Sequence, residues 1–132
     1  MRENDLARIV VDVAYQIHHE LGPGLLESVY QAIMLHELTK RKLQVTSQSQ
    51  VPVIWDGMAI EVGFRADLIV EGILLIELKS VEQIAAVHKK QLLTYLRLTN
   101  CRLGLLINFG TELIKNGITR VVNGLPDEFA AP

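Results

Sequence analysis

The chain has a single cysteine, Cys101, among its 132 residues, so no internal disulfide can form. Stability must come from packing, and the absence of a disulfide framework points to a reducing, cytoplasmic compartment. Aromatic residues are scarce at 5%. No apolar run approaches the ~18 residues that a membrane span requires. The opening Met1-Arg2-Glu3-Asn4-Asp5 lacks the basic-then-apolar pattern of a secretory signal. An excess of positive charge is also missing: net charge is −2 at pH 7. A protein that coats nucleic acid non-specifically carries a strongly basic surface. Binding to a polyanion would here need a local basic patch or a metal ion.

What the sequence does have is apolar substance. Hydrophobic residues make up 49%, and the mean hydropathy is +0.25. That excludes a disordered chain. The length fits one domain, 1–132, with residues 124–132 expected as a loose tail around Pro126 and the closing Ala-Ala-Pro. An apolar share this high in so small a domain also points to a buried homodimer interface.

Leu6, Ile9, Val10, Val13, Ile17 and Leu21 recur at helical spacing, so 4–21 reads as an amphipathic helix. Gly22-Pro23-Gly24 stops it. A second helix is expected from Leu25 to Lys42, with Leu26, Val29, Ile33 and Leu38 as its apolar positions. Lys40, Arg41 and Lys42 complement the helix dipole at its end. From Val45 the period becomes two, with Pro52 marking an edge strand. Asp56-Gly57 is a two-residue hairpin signal. Met58, Ile60, Val62, Phe64, Ala66 and Leu68 then alternate with polar residues, as in a half-buried strand with even-numbered side chains inward. After Glu71-Gly72, Ile73-Leu74-Leu75-Ile76-Glu77-Leu78-Lys79 reads as a central strand buried on both faces. Helical spacing returns over 83–98, followed by strands at Leu103–Phe109 and Ile118–Val122. The order is α-α-β-β-β-α-β-β, an α/β (α+β) domain with a mixed central sheet flanked by helices.

Three charged residues interrupt this apolar pattern. Glu77 and Lys79 are two apart on one strand and leave the same face. Charges are costly in such a segment unless paired or bound to a metal; a structural ion pair is the plain alternative. Asp67 ends the preceding strand, and the register decides whether it joins them. A strict two-residue turn at Glu71-Gly72 would pair Val70 with Ile73 and set Asp67 opposite Ile76. One more loop residue sets Asp67 opposite Glu77, and Gly72 makes that irregular turn inexpensive. The sequence permits this register without forcing it.

Two carboxylates converging from neighbouring strands suit Mg²⁺ or Mn²⁺, with Lys79 available to orient a nucleophile or stabilise charge on a phosphate. On the helix at 83–98, His88, Gln91 and Tyr95 fall within about 60° of one another, while Lys90 and Arg97 share the opposite face. Taken alone, His88 and Tyr95 read as ordinary boundary residues ahead of ligands. Glu27 shares a helical stripe with Tyr30 and Met34, in the first turn after the Gly-Pro-Gly break.

Gly24-Leu25-Leu26-Glu27-Ser28-Val29-Tyr30 resembles the signature of the GxxExxY proteins, members of the PD-(D/E)xK nuclease superfamily. The similarity runs from about Leu6 to Asn123. Asp67 in Arg65-Ala66-Asp67 resembles the superfamily's acid, with Ala66 where its name has proline. Glu77-Leu78-Lys79 resembles its E-x-K element, and Gln91-Leu92-Leu93-Thr94-Tyr95 its Q-x-x-x-Y motif. The resemblance implies a restriction-endonuclease-like core and a metal-dependent nuclease. Asp67, Glu77 and the Leu78 carbonyl would hold Mg²⁺ or Mn²⁺, helped by Glu27. Lys79, Gln91 and Tyr95 would complete the catalytic set. DNA is the expected substrate ahead of RNA. A non-catalytic nucleic-acid- or protein-binding scaffold of the same fold is the rival reading, and a junction-specific endonuclease a third.

Overall fold

A computed structural model describes residues 1–126. Two helices open the chain, α1 (Glu3–Leu21) and α2 (Glu27–Lys40), followed by strands β1 (Val45–Trp55), β2 (Met58–Val70) and β3 (Leu74–Lys79). Helix α3 (Ala86–Thr99) leads to β4 (Leu103–Asn108) and, after a 3-10 turn at Ile114–Asn116, to β5 (Ile118–Val122). The strands form one five-stranded sheet in the order β1-β2-β3-β4-β5. Only β3 and β4 run parallel, joined by the α3 crossover; the other neighbours are antiparallel. Element order and class agree with the sequence reading. Of the expected 124–132 tail, residues 127–132 lie outside the described residues, while Leu125 within it packs against the core.

Each face of the sheet carries its own core. Leu6, Val10, Val13, Ala14 and Ile17 of α1, with Tyr30, Met34 and Leu38 of α2, pack on Leu74, Ile76 and Leu78 of β3 and on Leu103, Leu105 and Ile107 of β4. On the opposite face Leu92 and Leu96 of α3 meet Leu75, Leu106 and Ala66. Alternate residues of β3 therefore serve different layers, which is why its sequence is apolar throughout.

Two expectations are corrected. In α2 the buried stripe is Tyr30, Met34 and Leu38, while Leu26 is 73% exposed and Val29 is also exposed. The cause lies in the preceding loop. The Tyr30 hydroxyl donates to the Gly22 carbonyl at 2.6 Å and accepts from Leu25 N at 3.2 Å. Its ring stacks on Phe109, with centroids 4.3 Å apart. These contacts fix the rotation of the helix and turn Leu26 outward.

The second correction concerns β2. Its first half is not half-buried: Met58 and Ile60 are exposed, as are Ile54 and Trp55 across the hairpin. The strands β1 and β2, 11 and 13 residues long, form an arm that extends beyond the six-residue β3. Nor does β2 keep one face inward. Ala66 packs on the α3 side, whereas Leu68 and Val70 pack on the α1–α2 side. The strand changes face at Asp67.

Candidate functional site

The β2–β3 connection sets the site. Val70 pairs with Leu74, leaving Glu71, Gly72 and Ile73 as a three-residue loop. Glu71 (φ 52°) and Gly72 (φ 69°) both lie in the left-handed region. Leu68 pairs with Ile76, and the same register carried one step further sets Asp67 opposite Glu77.

At that point side chains take over from the regular ladder. Asp67 N donates to Glu77 Oε1 at 3.3 Å, and Leu78 N donates to Asp67 Oδ2 at 2.8 Å. Each acid thus accepts a backbone N–H from the other acid's strand. The remaining oxygen of Asp67, Oδ1, accepts from Gln48 Nε2 at 3.3 Å. That same amide donates to Gln31 Oε1 of α2 at 2.8 Å.

Burial pushes the Glu77 carboxyl up to about 8, reinforced by the negative charge of Asp67 and only partly opposed by the hydrogen bond from Asp67 N and then by Lys79. Lys79 is half-buried at the end of β3. Tyr95 of α3 completes the surroundings. Its ring lies flat on Phe64, centroids 3.7 Å apart. Burial, then the charges of Glu77 and Asp67, raises its hydroxyl pKa; a hydrogen bond from Gln91 acts in the opposite direction. Tyr95 therefore lies within the field of the acid pair, with exposed Gln91 attached to it.

Not every residue of the expected constellation arrives at this point. His88 Nδ1 accepts from Ala85 N at 3.1 Å, so its ring closes the first turn of α3. Glu27 is exposed at the start of α2, one turn before Gln31. Among the described residues, no three His, Cys, Asp or Glu side chains group closely enough to hold a metal ion. The acids that do converge are Asp67 and Glu77. Their oxygen donors and mutual repulsion are what a hard divalent cation relieves, and such an ion keeps several waters of its own.

The structure adds supporting residues that the sequence reading overlooked. Asn108, fully buried at the end of β4, lies beside Lys79 in the parallel register. Its Oδ1 accepts from Val81 N and Gly110 N, both at 3.0 Å, and its Nδ2 donates to the Val81 carbonyl at 2.8 Å. This clamp fixes the chain leaving Lys79. Any side chain at Gly110 would intrude, since a Cβ there would stand 2.2 Å from the Val81 carbonyl oxygen. Ser80 Oγ donates to the Leu25 carbonyl at 2.6 Å, tying the same exit to the loop before α2. The signal for Asn108 was present as the one polar side chain closing the apolar run Leu103–Asn108. Gln48 gave none, because Ser47-Gln48-Ser49-Gln50 reads as ordinary polar alternation.

Two helices on one face of a mixed sheet, one on the other, and an Asp–Glu–Lys set at the ends of the inner strands define a restriction-endonuclease-like core. The family model of the PD-(D/E)XK nuclease superfamily matches residues 4–121, and the chain belongs to that superfamily. No curated protein and no solved structure matches the sequence. Among the described residues, no helix is long and apolar enough to cross a membrane.

Proposed function

We propose that this protein is a divalent-metal-dependent phosphodiesterase acting on nucleic acid, DNA ahead of RNA, within the GxxExxY branch of its superfamily. The observation that carries this reading is the interlocked Asp67–Glu77 pair, two carboxyl groups from neighbouring strands held together by each other's backbone N–H groups. Mg²⁺ or Mn²⁺, when bound, acidifies a water and neutralises charge on the phosphodiester. Asp67, Glu77 and the Leu78 carbonyl are the proposed ligands. Lys79 supplies a positive charge beside them, where charge develops on the phosphate. Tyr95 and Gln91 orient the substrate from the α3 side. Glu27 is proposed to act through a water of the ion, since it stands outside the pair.

The branch assignment is supported by the work that the motif does. Tyr30 holds the Gly22–Leu25 loop from the core side, and that loop in turn accepts from Ser80, next to Lys79. The motif therefore supports the site from below. Homodimer formation is supported by the exposed Ile54, Trp55, Met58 and Ile60 of the hairpin arm. A scaffold without catalysis is the second reading, favoured by the net charge of −2.

The test is cleavage of single- and double-stranded DNA and RNA with Mg²⁺, Mn²⁺ or EDTA, with Glu77→Ala as control. Metal-dependent cleavage abolished by Glu77→Ala supports the enzyme. Nucleic-acid binding without cleavage by the wild type supports the scaffold.

A further inference from the structure

We propose that Gln48 is the positioning residue that holds the Asp67 carboxylate in its working orientation, at the cost of a strained backbone. The inference rests on the metal-site reading above for its functional consequence.

Gln48 is anomalous on two counts. Its φ is 51°, in the left-handed region, within a strand. Side chains rarely adopt that region, and glutamine is not among the residues enriched there. It also marks a gap in the ladder: Ser47 pairs with Leu68 and Ser49 with Ala66, but Gln48 and Asp67 between them do not pair. This is where β2 changes face, with Ala66 on the α3 side and Leu68 on the α1–α2 side. Such local irregularities re-aim side chains beside functional sites.

The side chain explains the backbone. In its left-handed conformation Gln48 sends its amide both to Gln31 Oε1 (2.8 Å) and to Asp67 Oδ1 (3.3 Å). Leu78 N holds the other oxygen of Asp67. Asp67 is thus gripped from α2 through Gln48 and from β3 through Leu78. A glycine at this position would satisfy the backbone alone. Glutamine adds the grip, and outer hydrogen-bond partners of metal-binding carboxylates commonly alter metal affinity by about 10–100-fold.

Gln48→Gly separates the two roles, because glycine accepts the φ and removes only the amide. Two readouts decide the matter. In the metal-free protein, the Leu78 amide proton reports by NMR whether Asp67 Oδ2 stays in place. In parallel, Mn²⁺ affinity is measured by calorimetry. We expect the Leu78 resonance to move upfield, Mn²⁺ binding to weaken by about tenfold, and the melting temperature to equal or exceed that of the wild type. Gln31→Ala, which leaves the Gln48 backbone untouched, gives a smaller change in the same direction. An unchanged Leu78 resonance with unchanged affinity in Gln48→Gly overturns the proposal. If wild type fails to bind Mn²⁺, the metal-site reading falls, and the Leu78 amide alone still decides whether Gln48 orients Asp67.

Discussion

Glu77 makes the metal-free protein less stable as pH rises, and Glu77→Gln should remove that dependence. Its carboxyl sits at about 8 in the folded protein against 4.5 as the ordinary value, through burial first and Asp67 second. Between those two pH values the folded state keeps a proton that the unfolded state has released. Unfolding free energy therefore falls as pH rises through this window and levels off above about 8. At ~1.4 kcal/mol per unit the ceiling is ~5 kcal/mol. Residual solvent access brings the expectation to ~2–4 kcal/mol. Glutamine keeps an oxygen to accept from Asp67 N and an amide to donate to the Asp67 carboxylate, with no charge to lose. In EDTA, urea unfolding of wild type and Glu77→Gln should nearly coincide at pH 5. By pH 9 they should differ by that amount, with the variant more stable. Saturating metal should flatten the wild-type profile, because the metal-bound folded state and the unfolded state are then both deprotonated at Glu77 above its ordinary value of 4.5. Binding requires the deprotonated carboxylate, so Mg²⁺ affinity should rise up to tenfold per pH unit below about 8 and then flatten. Parallel pH profiles for wild type and Glu77→Gln in EDTA would refute the reasoning.

Lys79→Ala should cost under ~1 kcal/mol of stability, as for solvent-accessible pairs, yet lower cleavage by ~100-fold or more; denaturation and kinetics read the two separately. Because Lys79 holds the Glu77 pKa down, the same variant should also move the onset of Mg²⁺ binding to higher pH. Tyr30→Phe deletes the hydroxyl that accepts from Leu25 N and donates to the Gly22 carbonyl, and should cost ~1–2 kcal/mol in chemical denaturation. Asn108→Ala strands two N–H groups and one carbonyl in the interior, and a loss of ~3 kcal/mol or more is expected in the same assay.

The element order was legible because long apolar periods rarely mislead, and the spacing of Glu77 and Lys79 puts those two on one face of their strand. The register was legible only as a choice. Val70-Glu71-Gly72-Ile73 admits a two- or three-residue loop, and the residue that decides is distant in sequence. Glu71 N donates to the Gln44 carbonyl at 2.7 Å and Gln44 N donates to Glu71 Oε2 at 3.1 Å, so the start of β1 selects the longer loop. The exposed arm misled for a related reason: alternation at Met58 and Ile60 reports a strand, not whether a layer lies over it. In α2 the apolar residues surround the helix, so the buried stripe is chosen by the hydroxyl contacts of Tyr30.

The odd-numbered face of β3 changes character within two residues, from Leu75, fully buried under α3, to Glu77 and then Lys79. The acid pair therefore lies where the α3 layer gives out. Tyr95 stands at that border, stacked on Phe64 and within the field of both acids. One step inward, the ionised pair would be buried beyond rescue by a hydrated ion. One step outward, water would screen the repulsion, and with it the attraction for a cation. The three-residue β2–β3 loop holds Glu77 at this border, the strained Gln48 turns Asp67 toward it, and the Asn108 clamp keeps Lys79 from moving away. Each of these lies outside the Asp–Glu–Lys motif itself. A related sequence that kept the motif but lost these supports would retain the charges without the geometry that the proposed metal site requires.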